Sequence, residues 1–167
     1  MKLVICEKPS VGAAVAAALG VTGKKDGYIE NDKYIISWCI GHLVQLSEAA
    51  AYGEQYKKWS YDSLPILPQE WQYTVAADKG KQFKILKDLM HSADVSEVVN
   101  ACDAGREGEL IFRFVYHQAG CKKPFTRLWI SSMENEAIRS GFDNLKEGRE
   151  YDALYHSCLL YTSPSPR

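Results

Sequence analysis

The sequence has no C-x-x-C pair, although it carries five cysteines, at positions 6, 39, 102, 121 and 158. An odd and scattered set excludes a zinc ribbon, gives no disulfide framework and suits a reduced cytosolic setting. His117 and Cys121 stand four residues apart and could share a helix face, but with no second pair they read as packing residues. No apolar run is long enough to span a membrane, and the one in MKLVICEKPS is too short for a signal peptide. Charge of one sign is not in excess either. The formal net charge is −1, so no overall basic field marks a polyanion partner, and any such site must be local. No internal repeat or low-complexity block appears before residue 158. With 167 residues, 46% of them hydrophobic and 25% charged, the chain suits one globular domain with a real core.

The periodicities predict alternating strands and helices. KLVIC is a short β-rich apolar run, as in a buried parallel strand. The segment that follows has Pro9 for a first helical turn, an alanine-rich body and Gly20 as a stop, leaving Glu7 and Lys8 at the carboxyl end of the strand. GYIENDKYIISWCIGHLVQL alternates like a hairpin turning at Asn31-Asp32. Residues 49–72 lack periodicity, but Trp59, Tyr61 and Trp71 favour burial, so this stretch reads as an ordered excursion. Phe83, Leu86, Leu89 and Met90 recur at helical spacing. SEVVNACD reads as a second buried strand ending at Asp103, followed by a helix with Leu110, Ile111, Phe114 and Val115 inward. TRLWI reads as a third strand, and Ser131 with Glu134 forms a capping-box spacing for another helix. This order predicts an α/β fold with a largely parallel sheet.

In such sheets ligands gather beyond the carboxyl ends of the strands. Glu7 and Asp103 fall at two such ends, and Glu107 lies one helical turn beyond Asp103, so three carboxylates could converge on a hard ion such as Mg²⁺. Gly105 and Gly108 permit close backbone approach, Arg106 offers a bidentate phosphate contact, and Lys8 offers a point charge. His42, after Gly41, could donate to a phosphate, and it also reads as a structural hairpin histidine. DAGREGE taken alone fits an acidic helix start with Asp103 as N-cap just as well as a metal-and-phosphate site. Glu7 taken alone reads as a surface charge. The aromatic middle of the chain reads as core rather than a base-stacking platform.

The blocks LVICEKPSVGAAVAAALG, SWCIGHLVQL, NACDAGREGELIFRF and RLWISSMENEAI together resemble the N-terminal Toprim domain of type IA DNA topoisomerases, in particular the bacterial and plasmid topoisomerase III branch. The resemblance runs in order from residue 1 to about residue 157. It implies an α/β Toprim (Rossmann-like) domain with a largely parallel central sheet flanked by helices, plus a β-hairpin insertion. It also implies an ATP-independent, cytoplasmic enzyme, nucleoid- or plasmid-associated. Such an enzyme relaxes negatively supercoiled DNA, and separates linked molecules, through a 5′-phosphotyrosine formed on one strand, which is then resealed. By position, Glu7 resembles the glutamate that exchanges a proton with the 3′-oxygen, and Lys8 the lysine near the scissile phosphate. Asp103 and Glu107 resemble Mg²⁺-binding members of a D-x-D-x-E motif, with Glu7 near; His42 and Arg106 are placed at DNA phosphate.

Two departures accompany the resemblance. Gly105 stands where that motif has its middle acid, which predicts a single Mg²⁺ rather than a tight two-ion site, with Glu109 as a weaker substitute ligand. The family's nucleophilic tyrosine lies in a later domain, in a Tyr-Pro-Arg-Thr-like context that YTSPSPR does not reproduce. The expected division is therefore a Toprim domain at 1–157 and a disordered, non-native or truncated tail at 158–167. The chain is then a fragment that depends on downstream domains of the same enzyme and on DNA, with no membrane partner. The alternatives are a stand-alone Toprim nuclease or primase-like protein and a non-catalytic DNA-binding module.

Overall fold

A computed structural model of the chain describes residues 1–58 and 60–162; Trp59 and 163–167, both subjects of sequence expectations, lie outside the described residues. Strand β1 (Lys2–Cys6) is buried at Leu3, Val4, Ile5 and Cys6. A strand covered on both faces needs neighbours on both edges, and β1 pairs in parallel with β4 (Tyr34–Trp38) on one side and β7 (Glu97–Ala101) on the other. Strand β8 (Phe125–Arg127) extends the parallel set beyond β7. An antiparallel meander of β2 (Gly23–Lys25) and β3 (Tyr28–Glu30) completes one edge, and β9 (Lys146–Glu147) the other. The order is β2-β3-β4-β1-β7-β8-β9. The chain fills the β4 side of β1 first and then crosses to β7, so the topological switch lies between β1 and β7.

Alternation along these strands divides the core in two. Leu3, Ile5 and Val98 face helices α2 (Gly80–His91), α3 (Arg106–Gln118) and α5 (Asp152–Thr162), meeting Leu86, Phe112 and Tyr155. Val4, Cys6 and Val99 face α1 (Pro9–Leu19) and α4 (Asn135–Asp143), meeting Val15 and Ile138. The expected helix punctuation is present in α1: Pro9 opens it, and Gly20 closes it at φ 68°. The β3–β4 turn is fixed by Asn31, whose Oδ1 accepts the N–H groups of Lys33 and Tyr34 at 2.9 and 2.8 Å.

Several elements differ from the sequence expectation. The hairpin gains β2 as a third strand, and IGHLVQL does not continue it. Gly41, at φ 60°, turns the chain out of the sheet, and β5 (Val44–Leu46) pairs instead with β6 (Tyr73–Val75) in a separate two-stranded sheet. Trp71 packs on the core as expected, whereas Tyr61 is 97% exposed on a 3₁₀ turn of polar neighbours. Strand β8 stops at Arg127, two residues before Trp129. The Ser131–Glu134 capping box does not form: α4 begins at Asn135, and Ser132 Oγ accepts the Glu134 N–H. A reciprocal box forms at Glu147 and Glu150 instead.

The expected unstructured tail is also corrected over its first residues. Helix α5 continues through Cys158 to Thr162, because Cys158 and Leu159 extend its apolar face onto α3 and are buried there. All five cysteines are buried, and burial pushes the Cys6 thiol up, so they pack rather than react. His117 lies among Tyr73, Tyr116 and Tyr155, as a packing residue does. No helix among the described residues is long and apolar enough to cross a membrane.

Candidate active site at the sheet switch

The carboxyl ends of β1 and β7 lie side by side at the switch, with Cys6 opposite Ala101. Glu7 and Lys8 leave β1 there, and Asp103 leaves β7. Lys8 Nζ lies 3.7 Å from Asp103 Oδ2, with both side chains about half exposed. The loop after β4 closes a third side: Gly41 N–H donates to Glu7 O at 3.3 Å, and His42 Nε2 lies 2.9 Å from Glu107 Oε1. Four of the six residues named from the sequence are thus paired, Lys8 with Asp103 and His42 with Glu107, and the main chain of a fifth, Glu7, accepts from the His42 loop. The sixth, Arg106, opens α3 with an exposed side chain.

The carboxylates do not close into one cage. Among the described residues, no group of three or more His, Cys, Asp and Glu is arranged to hold a metal ion. Asp103 faces Lys8, and Glu107 faces His42. The donor chemistry still fits a hard ion: Asp103, half-exposed in the turn before α3, and Glu107, exposed in the first turn of α3, are oxygen donors four residues apart, and Mg²⁺ keeps several waters with few protein ligands. At Gly105 the backbone is extended (φ 176°), and nothing lies within 4 Å of where a Cβ would stand. The backbone there does not require glycine, so what this position lacks is a carboxylate.

Gly108 is different. A Cβ there would stand 2.1 Å from Asp103 O and 2.9 Å from Asp103 N, because the first turn of α3 abuts the Asp103 backbone. Backbone cannot yield as a side-chain tip can. Gly108→Ala is expected to cost about 3 kcal/mol, the upper end for overpacking, in urea unfolding of the chain. An unchanged midpoint would mean that α3 does not press on Asp103.

Beneath the surface lies an ionic network that sequence reading missed. Glu109 is fully buried, so it is no substitute for the acid missing at Gly105. Its Oε1 accepts from Arg113 Nε at 2.8 Å and its Oε2 from Asn100 Nδ2 at 2.9 Å. Arg127 Nε stands 3.1 Å from Oε2, an ion pair without hydrogen-bond alignment. Burial lowers the Arg127 pKa, and the Glu109 carboxylate opposes that shift. The Arg127 guanidinium also donates to the carbonyls of Cys102 at 2.6 Å and Asp103 at 2.7 Å, pinning the turn that presents Asp103. Arg113 reaches Asp152 Oδ1 at 2.7 Å, tying α5 to the same centre. The spacing of Glu109 and Arg113, one helical turn apart, is the one signal in the sequence for this pair. The contribution of Arg127 has no local signature. A cleft of about 880 Å³ opens beside Lys8 and Asp103, walled by α1, α4 and the segment carrying Trp129 and Met133.

Comparison with known proteins gives consistent matches. The Toprim domain family model matches residues 2–133. The chain is 46% identical over 157 residues to DNA topoisomerase 3 of Staphylococcus haemolyticus, covering 94% of this chain and 22% of that protein. It is 44% identical over the same length to DNA topoisomerase 3 of Bacillus subtilis, with the same coverage. Full-length topoisomerase I from Thermotoga maritima superposes with a TM-score of 0.55 at 21% identity, over 87% of this chain and 21% of that one. The chain therefore spans about a fifth of the length of the relatives it matches.

Proposed function

This chain belongs to the Toprim domain family, and from that premise we propose that residues 1–157 form the Toprim part of a type IA DNA topoisomerase of the topoisomerase III kind. The extent of 157 aligned residues supports that boundary. The observation that supports the reading is the pairing of Lys8 with Asp103 across the switch between β1 and β7, with Glu7 next to Lys8 in the chain and Glu107 in the first turn of α3. The substrate is DNA, single-stranded or negatively supercoiled, in the bacterial cytoplasm, in association with nucleoid or plasmid. The remaining domains of the same enzyme supply the nucleophilic tyrosine.

In this reading Glu7 is the proton carrier: its carboxyl group gives a proton to the departing 3′-oxygen on cleavage and takes it back on resealing. Lys8 sets a cation against the scissile phosphate, and its pairing with Asp103 holds the ammonium in place. Arg106 and His42 contact neighbouring phosphate oxygens. Asp103 and Glu107 would hold Mg²⁺, with Glu7 near, and the bound ion would neutralise phosphate charge. Gly105 leaves that site with two carboxylates from this motif, so one loosely held ion is expected. Calorimetry that found two tightly bound Mg²⁺ ions would contradict this role for Gly105.

The sequence holds no Tyr-Pro-Arg-Thr-like segment, so these 167 residues are expected neither to relax nor to nick supercoiled plasmid with Mg²⁺. Residues 1–157 exchanged into the Staphylococcus haemolyticus relative, in place of its matching segment, are expected to support relaxation. Nicking by the chain alone would favour a Toprim nuclease. Salt-sensitive DNA binding joined to an inactive chimera would favour a non-catalytic module.

A further inference from the structure

The loop that carries His42 is anchored at its ends by the fully buried Cys39 and Leu43, but its middle, Ile40–His42, is not packed. Ile40 is 45% exposed and His42 is exposed, so burial does not fix either. On the β1 side, Cys39 N–H donates to Cys6 O at 2.8 Å, and the bond from Gly41 N–H to Glu7 O is long at 3.3 Å. On the opposite side stands Lys79, a residue with no part in the chemistry above. Its Nζ donates to Ile40 O at 2.8 Å and to His42 O at 3.2 Å. Lys79 occupies the N-cap position of α2, and Phe83 N–H donates to its carbonyl at 3.1 Å. That helix is itself firmly placed: Leu86 and Met90 are fully buried, and Gln82 Nε2 donates to Trp38 O at 2.8 Å.

A rigid helix thus sets an ammonium against two carbonyls in the exposed middle of a loop anchored at both ends. An ammonium has three donors and no acceptor, which suits two diverging carbonyl groups. With the backbone of Ile40 and His42 held on the α2 side, the imidazole reaches the first turn of α3, where Nε2 meets Glu107 Oε1 at 2.9 Å. We propose that Lys79 is a positioning residue that holds the Ile40–His42 loop so that His42 meets Glu107. This rests on the proposed function only in taking Glu107 as a carboxylate of the site.

The test uses the 167-residue chain and its Lys79→Met and Lys79→Arg variants, with Glu107→Gln as reference. Imidazole ¹⁵N shifts of His42 are read at one fixed pH. Lys79→Met keeps the stem and removes the donors, and it is expected to move the His42 shifts toward those of Glu107→Gln. Lys79→Arg, which keeps donors, is expected to restore them. The melting temperature of Lys79→Met is expected to stay within about 3 °C of the parent, because the side chain is only partly buried and its stem is kept. Mn²⁺ titration of the same proteins is expected to show roughly tenfold weaker binding for Lys79→Met, the size seen when an outer partner of a ligand is lost. Unmoved His42 shifts would overturn the proposal; moved shifts with unchanged Mn²⁺ affinity would support the positioning and overturn only the link from His42 to the metal role of Glu107. Absence of saturable Mn²⁺ binding by the parent chain would instead defeat the metal role of Glu107, and the ring shifts would still decide whether Lys79 positions His42.

Discussion

Glu7→Ala, made in the chimera with the Staphylococcus haemolyticus relative, is expected to slow strand cleavage and rejoining by roughly 10²–10⁴-fold, the range of a lost general acid–base group. Single-strand DNA affinity should change little by comparison, because the phosphate contacts proposed for Lys8, His42 and Arg106 are left untouched. The fold should also survive. The Glu7 main chain, not its side chain, accepts the Gly41 N–H, and β1 is already complete at Cys6. Single-turnover cleavage of a labelled oligonucleotide, read beside its equilibrium binding, separates the two effects. Relaxation at the parental rate would refute the proton-carrying role.

The second large effect is on stability. Glu109→Gln is expected to cost about 3–5 kcal/mol, because it leaves the Arg127 guanidinium buried without its carboxylate and Arg113 with Asp152 alone. The side chains are 0%, 7% and 0% exposed for Glu109, Arg113 and Arg127, so water cannot compensate. That is a large share of the ~5–15 kcal/mol that holds a domain together. The neighbouring Glu107→Gln, in a side chain 74% exposed, should cost under about 1 kcal/mol. Urea unfolding of the two variants beside the parent gives the comparison. If both lose the same small amount, the buried ionic centre does not hold the fold.

The sequence made the strand–turn–helix units readable because their signals are local. Four consecutive buried residues in β1, Pro9 and Gly20 around α1, and the Asn31 turn each act within a few residues. The site was readable for a related reason: strand ends gather ligands, so charged residues just after two apolar runs already point to one crevice. What escaped depends on distant partners. Strand β5 leaves the main sheet for β6 after the turn at Gly41, and its alternation would look the same in either sheet. Glu109 reads as a spare metal ligand until Arg127, eighteen positions on, is found beside it in the buried core. Ser131 and Glu134 have capping-box spacing, but Trp129 and Ile130 leave the sheet early and shift the start of α4.

The central place of β1 bears on how the protein comes into being. Strand β1, which leaves a ribosome before the other strands of this sheet, is flanked on both edges in the finished sheet, by β4 at residues 34–38 and by β7 at residues 97–101. Until β7 has been synthesised, an apolar KLVIC edge stays open, a template for pairing with another chain. Contacts spanning some ninety residues also close slowly. A nascent chain of this kind therefore has a window, between the emergence of Trp38 and that of Ala101, in which it is exposed to chaperones and to aggregation. The strand that later sets Glu7 beside Asp103 is the one that waits longest for its second neighbour.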